Sequence, residues 1–138
     1  MVMTSRVVYT GGLRTEATHL RSGSIIETDA PVDNHGKGER FSPTDLVATA
    51  LASCMLTTIG ISADTHNINI DGAVCQVEKI MAAEPRRIAE VKVIMDFPEG
   101  QQYSDKQKKI IENIALTCPV LVSLHPDCKK TLTINWPA

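Results

Sequence analysis

The fold is decided by one stretch, Phe41–Asp64, which reads FSPTDLVATALASCMLTTIGISAD. It opens with a helix-start signal, because Ser42 can act as a cap, Pro43 suits the first helical position and Asp45 completes a capping box. No charged side chain follows from Leu46 to Ala63. The large apolar residues of this segment spread around the helix instead of forming one stripe, so we expect a helix that is buried on all sides.

The uncharged run is about as long as a membrane span, which needs roughly 20 apolar residues. However, Thr and Ser residues interrupt it, and it lacks flanking aromatic residues and a basic cluster. We therefore interpret it as the central helix of a protein that does not cross a membrane. Cys54 lies near the middle of this helix and is either a small buried hydrophobe or a reactive thiol.

Size and composition limit the possible functions. A chain of 138 residues, 43% of them hydrophobic, predicts a single domain over residues 1–138. The net charge is −2 and the sequence contains no basic patch, which argues against nucleic-acid binding. The N-terminus has no long apolar segment, so we expect no signal peptide and a cytoplasmic location, where thiols are kept reduced.

The four cysteines are Cys54, Cys75, Cys118 and Cys128. They form no C-x-x-C motif and no Cys/His spacing suited to zinc, so we expect neither a metal nor another cofactor. A structural disulfide framework is not expected in the cytosol. The thiols are therefore either inert or redox-active.

Hydrophobic alternation and turn residues predict an antiparallel meander before the central helix. Its strands are Arg6–Thr10, Leu13–Arg21 and Ser24–Thr28, and a loop over Asp29–Arg40 follows. After the central helix we predict a long strand with a bend at Asp71-Gly72, which a hairpin joins to a second strand. A second helix follows and begins at Ser104, where Gln107 completes a capping box. A helical turn and a last strand complete the chain. The strands are Ile68–Ala82, Ile88–Phe97 and Cys128–Trp136, the hairpin connection is Met81–Arg87, and the helical turn is Val120–Leu124.

Strands in hairpin-connected runs, separated by helices, predict an α+β fold with mostly antiparallel sheet. One small sheet in 138 residues cannot easily cover a central helix that is apolar on every face. We therefore expect an obligate homodimer in which two chains bury these helices against each other.

A nucleophilic Cys54 would have to be a thiolate, and it lies too far inside its helix for the helix dipole to help. A cation is needed, and the candidates in the N-terminal hairpin are Arg14, then Arg21 and His19. Cys118 precedes Pro119 at a helix end, where it could resolve a sulfenic acid on Cys54 as a transient disulfide.

The other cysteines and histidines have simpler interpretations. Cys75 and Cys128 lie on predicted strands and are expected to be packing residues. The polar surroundings of His35 and His66 predict solvated side chains, and His125 before Pro126 predicts a turn residue.

The order of the motifs resembles the OsmC/Ohr family of osmotically inducible and organic hydroperoxide resistance proteins. Three motifs carry the resemblance. They are the hairpin Thr10–Arg14, the Ser-Pro-x-Asp-Leu opening at Ser42–Leu46, and Cys118-Pro119-Val120. Cys54 follows Pro43 of the second motif by eleven residues. Together with the opening at Phe41–Leu46, the run Thr28–Asn34 is similar to a less-studied branch of the family.

The resemblance implies an intertwined homodimer with two long central helices wrapped by sheets. It implies Cys54 as the peroxide-reacting thiol, Cys118 as the resolving thiol, and Arg14, from either subunit, as the cation that stabilises the thiolate. It also implies organic hydroperoxides as substrates and a dithiol reductant, such as a lipoyl group.

One position departs from the family pattern. Many peroxidase members carry a Glu directly after the helix-opening Pro, where it pairs with the Arg, whereas this chain has Thr44. Asp45 or Glu39 could substitute for it.

Two further interpretations stay open. A non-enzymatic dimeric module that binds small apolar ligands would keep the cysteines for packing. A metal site formed by Cys54, Cys118 and His19 is a more remote alternative.

Overall fold

The computed structural model of the protein describes residues 2–138 and has an α+β fold, which confirms the predicted class. The N-terminal strands are β1 (Ser5–Gly11), β2 (Arg14–His19) and β3 (Ile25–Asp29). A 3₁₀ turn at Val32–Asn34 precedes helix α1 (Pro43–Ala63). The remaining elements are β4 (Val74–Ala82), β5 (Arg87–Asp96), α2 (Asp105–Ala115), α3 (Pro119–Ser123) and β6 (Lys129–Asn135).

The chain divides into two compact units, Met1–Val47 and Ala48–Ala138. Each unit is built around its own three-stranded sheet. The prediction of a single domain over residues 1–138 stays a prediction.

The sheet of the N-terminal unit is the predicted antiparallel meander, in the order β1-β2-β3. β2 ends at His19, two residues before the predicted end at Arg21, because the chain turns there: the His19 N–H donates to the Ser24 carbonyl at 2.8 Å. β3 continues one residue beyond the predicted Thr28 and places Asp29 directly opposite Arg14 on β2.

The first turn of α1 is closed by the predicted capping box. The Asp45 N–H donates to Ser42 Oγ at 3.1 Å, and the Ser42 N–H donates to Asp45 Oδ2 at 3.0 Å. These reciprocal bonds satisfy backbone donors that a helix start otherwise leaves unpaired.

The sheet of the C-terminal unit has the order β4-β5-β6, with β4 and β5 antiparallel and β5 and β6 parallel. The predicted strand Ile68–Ala82 is wrong in its first part, since β4 begins only at Val74. Residues 68–73 form turns instead, in which the Ile68 N–H donates to the Ala63 carbonyl and the Asp71 N–H to the Asn69 side chain. These local bonds occupy donors that a strand would give to its neighbour.

In the C-terminal unit one face of α1 shares a hydrophobic core with β5 and α2. The most buried large side chains of this core are Leu51, Met55 and Ile59 of α1, Val91, Val93 and Met95 of β5, and Ile111 of α2. The single chain covers α1 on one side only, because Ile61 on the opposite face is 75% exposed. Burial of α1 on every side was expected with the help of a second chain and stays a prediction. By length and composition α1 could also cross a membrane, but a third of its apolar window is buried within the fold.

Candidate functional site

Cys54 lies in the middle of α1, half-buried beside the hydrophobic core of the C-terminal unit. Thr58, one helical turn later, lies on the same helix face. Its hydroxyl donates to the Cys54 carbonyl at 2.6 Å and lies 3.8 Å from the Cys54 sulfur. Thr58 was not singled out from the sequence, although its i+4 spacing from Cys54 was a usable signal.

Cys118 is the residue that caps the short helix α3, and its side chain is fully buried. Its backbone is extended, with φ −66° and ψ 150°, because Pro119 disfavours the helical conformation in the residue before it. Pro119 in turn occupies the first turn of α3. The Cys-Pro pair therefore begins α3, three residues after α2 ends at Ala115, and places the thiol in the junction between the two helices.

The structure brings Cys54 and Cys118 together within the C-terminal unit, because each thiol interacts with the other. Burial acts to raise the pKa of Cys54, but the Val120 backbone N–H, the Thr58 hydroxyl and the Cys118 thiol favour its thiolate, and the pKa is lowered. Burial, followed by the hydrogen bond and charge of Cys54, raises the pKa of Cys118. The surroundings thus favour the thiolate of Cys54 and disfavour that of Cys118.

The two remaining cysteines differ from this pair. Cys128 is buried in the core of the C-terminal unit. Cys75 lies on β4, and burial, together with the charge of Asp96, raises its pKa to about 11. A thiol with so high a pKa is almost entirely protonated near neutral pH.

In the N-terminal unit, Arg14 is held by two carboxylates. Its Nε donates to Asp29 Oδ1 at 2.7 Å, and its Nη2 donates to Asp29 Oδ2 at 2.9 Å and to Glu39 Oε1 at 3.1 Å. The hydrogen bond from Arg14 is the main cause that lowers the pKa of Asp29 to about 2, and the same contact raises the pKa of Arg14 further above its usual range. Arg14 is therefore a permanently charged group in a fixed orientation.

The supporting residues named from the sequence have separate roles. Glu39 pairs with Arg14, whereas the Asp45 carboxylate accepts from the Ser42 N–H at the start of α1. The Thr44 hydroxyl lies 3.3 Å from Ser42 Oγ. Asp29 was missed because the predicted strand ended one residue before it, although continuing the β2–β3 register would have placed it opposite Arg14.

His19 lies at the exposed end of β2, and its Nδ1 is 2.6 Å from the Ser22 hydroxyl. His35, His66 and His125 are also exposed. Among residues 2–138 no group of three or more His, Cys, Asp or Glu side chains is arranged to hold a metal ion.

Fold and site together define an α+β protein with a paired-cysteine site. The model of the OsmC-like protein family matches residues 36–133, and the chain belongs to that family. A comparison with curated proteins found no match to the chain.

Solved structures share the fold over nearly the whole chain. One of them is a protein from Psychrobacter arcticus 273-4 that is described as an osmotic stress induced and detoxification response protein. Its sequence is 55% identical to this chain, and the two structures match with a TM-score of 0.93 over 98% of this chain and 97% of that one. An OsmC-like protein from Mycoplasma pneumoniae is 18% identical, with a TM-score of 0.79 over 97% and 96%. An organic hydroperoxide resistance protein, OsmC, from Legionella pneumophila is 15% identical, with a TM-score of 0.75 over 98% of each chain. These names associate the family with stress and hydroperoxide resistance.

Proposed function

We propose that the protein is a thiol-dependent peroxidase that reduces organic hydroperoxides through a Cys54 thiolate and a Cys54–Cys118 disulfide. The observation that carries this proposal is the interaction of the two thiols, with the pKa of Cys54 lowered and that of Cys118 raised. A nucleophile beside a protonated partner is the arrangement that a two-cysteine peroxide reductase requires.

The reaction has two steps within the protein. The Cys54 thiolate attacks the terminal peroxide oxygen, the O–O bond breaks, and the alkoxide leaves as an alcohol after it takes up a proton. Cys54 is then a sulfenic acid. The Cys118 sulfur attacks this sulfenic sulfur, its own proton leaves with the hydroxyl group as water, and the disulfide forms.

A dithiol reductant completes the cycle, since two electrons and two protons are needed to return the disulfide to two thiols. A lipoyl-type dithiol fits this role, and a reducing cytoplasm is the compartment in which such a cycle runs. The reaction needs no bound cofactor, nucleic acid or membrane.

The surroundings of Cys54 favour an organic peroxide over hydrogen peroxide. Its sulfur lies at the edge of the hydrophobic core, and Val120 and Leu121 pack against the same core. A hydroperoxide with an apolar group has a more favourable free energy of binding when that group moves from water to such surroundings.

We propose that Arg14 is the cation that stabilises the thiolate and orients the peroxide oxygens.

The proposal is tested by peptide mapping with mass spectrometry after one equivalent of cumene hydroperoxide, with an untreated control. We expect a new Cys54–Cys118 disulfide that a dithiol reverses. A Cys118→Ser variant should instead accumulate a sulfenic acid on Cys54. A Cys75→Ser variant is the matched control and should form the disulfide as the wild type does.

Four unmodified thiols after peroxide, in protein shown to be folded and reduced at the start, would overturn the proposal. That result would favour the non-enzymatic module that binds small apolar ligands.

A further inference from the structure

We propose that the dithiol reductant attacks the Cys54 sulfur of the Cys54–Cys118 disulfide, so that Cys118 is the thiolate that leaves. This inference rests on the peroxidase function proposed above and concerns the half of its cycle that returns the disulfide to two thiols. Both sulfurs and the groups that act on them lie in the C-terminal unit, Ala48–Ala138.

The two sulfurs differ in their access to solvent. Cys118 is 0% exposed and belongs to the same buried core as Ile111 and Ala115 of α2. Cys54 is only half-buried and packs against this core from α1. These exposures are those of a single chain, and a second chain can only lower them. Cys118 is therefore closed to solvent in every assembly of this fold.

The direction of attack makes this difference in access important. In thiol–disulfide exchange the incoming thiolate, the attacked sulfur and the leaving sulfur lie nearly in line, and the rate depends on access to the attacked sulfur. Attack on Cys118 would have to come from the side away from Cys54, and Cys118 has no exposed side. Attack on Cys54 needs only the opening through which peroxide reaches the same sulfur in the proposed reaction.

Leaving-group strength alone favours the opposite choice. The thiol with the lower pKa leaves faster, and in the reduced protein the pKa of Cys54 is lowered whereas that of Cys118 is raised. Burial raises the pKa of Cys118 most, but the contributions from Cys54 disappear in the disulfide, because Cys54 is then covalently bound and carries no charge. A sulfur that no reductant reaches does not react, whatever its leaving group. Access therefore outweighs the leaving-group preference.

The start of α3 offers hydrogen-bond donors to the leaving thiolate. Cys118 is the N-cap residue of α3, so its side chain lies near the N–H groups two and three positions later. These belong to Val120 and Leu121, in the first helical turn, where N–H groups have no partner inside the helix. Both N–H groups favour the Cys118 thiolate. The negative charge that develops on Cys118 as the disulfide breaks is thus met by donors already in place.

The reductive half then runs in two displacements. The first thiol of the reductant loses its proton and bonds to the Cys54 sulfur, the disulfide breaks, and Cys118 leaves with the electron pair and takes up a proton. The second thiol of the same reductant loses its proton and attacks the reductant's first sulfur, which closes the reductant's own disulfide and releases Cys54 as a thiolate. Cys54 thus returns in the form that attacks peroxide, since the Val120 N–H and the Thr58 hydroxyl favour its thiolate against the effect of burial.

A semisynthetic protein tests the donors at the start of α3. A thioester of residues 1–117 is ligated at Cys118 to a synthetic peptide of residues 118–138, in which an ester replaces the amide of Leu121. This change removes one N–H and keeps every side chain. The measured quantity is the rate of disulfide reduction by dihydrolipoic acid, relative to the ligated protein with all amides.

We expect the ester to slow reduction about 3- to 30-fold, part of the effect of losing a hydrogen bond to a full charge. The rate of oxidation by peroxide should change by a smaller factor, because the Leu121 N–H acts on Cys118 and not on Cys54. Equal effects on the two rates, or an unchanged rate of reduction, would overturn the assignment of Cys118 as the leaving thiolate.

The main experiment traps the mixed disulfide with a monothiol, which has no second thiol to release Cys54. A Cys75→Ser protein is oxidised with one equivalent of cumene hydroperoxide and then treated with 2-mercaptoethanol. Samples are quenched with acid at increasing times, the freed thiol is alkylated with N-ethylmaleimide in denaturant, and peptide mapping locates both groups. At the earliest times we expect at least about tenfold more mercaptoethanol on Cys54 than on Cys118.

The same disulfide, unfolded in guanidinium chloride before 2-mercaptoethanol is added, is the control. Both sulfurs are then exposed, so adducts should form on both cysteines. A preference for Cys54 that persists in the unfolded protein would show that burial is not its cause and would overturn the inference. Mercaptoethanol chiefly on Cys118 of the folded protein, or equally on both cysteines, would overturn it as well and would leave the peroxidase proposal standing. If peroxide forms no disulfide at all, the peroxidase proposal itself fails, and this inference fails with it.

Discussion

At the scale of single residues, Thr58 is the polar side chain that the structure adds to the Cys54 site. Its hydroxyl lies 3.8 Å from the sulfur and helps to lower the pKa of Cys54. We expect Thr58→Val to raise that pKa and to slow peroxide oxidation at neutral pH roughly 2- to 10-fold, the effect of losing about one hydrogen bond. The thiolate is measured by its ultraviolet absorbance across a pH titration in a Cys75→Ser background.

Thr58→Ser is the control, because it keeps the hydroxyl and should behave as the wild type does. Thr57→Val, at the exposed neighbouring position, controls for the loss of any threonine hydroxyl from α1. A titration curve for Thr58→Val that overlays the wild-type curve would show that the hydroxyl serves only the Cys54 carbonyl, to which it donates at 2.6 Å.

The Arg14–Asp29 pair predicts how stability responds to acid. The pKa of Asp29 falls from an ordinary 3.8 to about 2, so the folded state favours the ionised carboxylate. Its stabilisation is therefore fully present above about pH 4 and is lost as the pH falls through about 2. We expect Asp29→Asn to flatten the dependence of the free energy of unfolding on pH between 4 and 2. Urea unfolding at a series of pH values measures this, and Asp33→Asn should keep the wild-type slope.

Individual residues also show what the sequence could predict. Cys54 and Cys118 were found because local patterns identify them: a cysteine in an uncharged helix and a Cys-Pro junction. Glu39 was named only as a possible substitute for the family Glu that Thr44 replaces. The identification of Asp29 depends on the strand register, which places it opposite Arg14, although the two residues are 15 positions apart in the sequence. A strand end misplaced by one residue was enough to assign it to a loop, and strand ends are the least certain part of such a prediction.

At the scale of elements, α1 depends on its first turn. Ser42 is 2% exposed, and its hydroxyl accepts the Asp45 N–H while Asp45 accepts the Ser42 N–H. We expect Ser42→Ala to lower the free energy of unfolding by about 1 kcal/mol, since it leaves a buried donor unpaired, and Ser42→Gly to cost less. Chemical denaturation of the two variants measures both effects. The reverse order, with Gly costing more than Ala, would show that the cap is not the source of the stability.

The elements that the sequence predicted well are those with local signals. Both capping boxes form, at Ser42 and at Ser104, because each depends on residues three apart. The start of β4 was predicted six residues early, because the apolar residues Ile68 and Ile70 suit a strand as well as they suit turns that pack on a core. Only the backbone bonds of residues 68–73 separate the two possibilities.

At the scale of the whole molecule, each unit carries exposed apolar surface. In the C-terminal unit the face of α1 opposite the core exposes Ile61, and in the N-terminal unit the sheet exposes Val7, Tyr9 and Ile25, each by more than half. Contiguous exposed apolar surface commonly marks an interface. We propose that a second copy of the chain covers the exposed face of α1, as the sequence predicts for a helix that is apolar on every side.

This homodimer predicts a strong effect at Ile61, which is 75% exposed in the single chain. A lysine there would bury an unpaired charge in the interface, so we expect Ile61→Lys to convert a dimer into monomers or aggregates at micromolar concentration. Sedimentation equilibrium at several protein concentrations measures the mass. Ile94→Lys is the matched control, because Ile94 is a 40% exposed isoleucine on the sheet of the C-terminal unit, and it should keep the wild-type mass. A wild-type protein that is monomeric at every concentration would contradict the homodimer and would leave the apolar face of α1 to another partner.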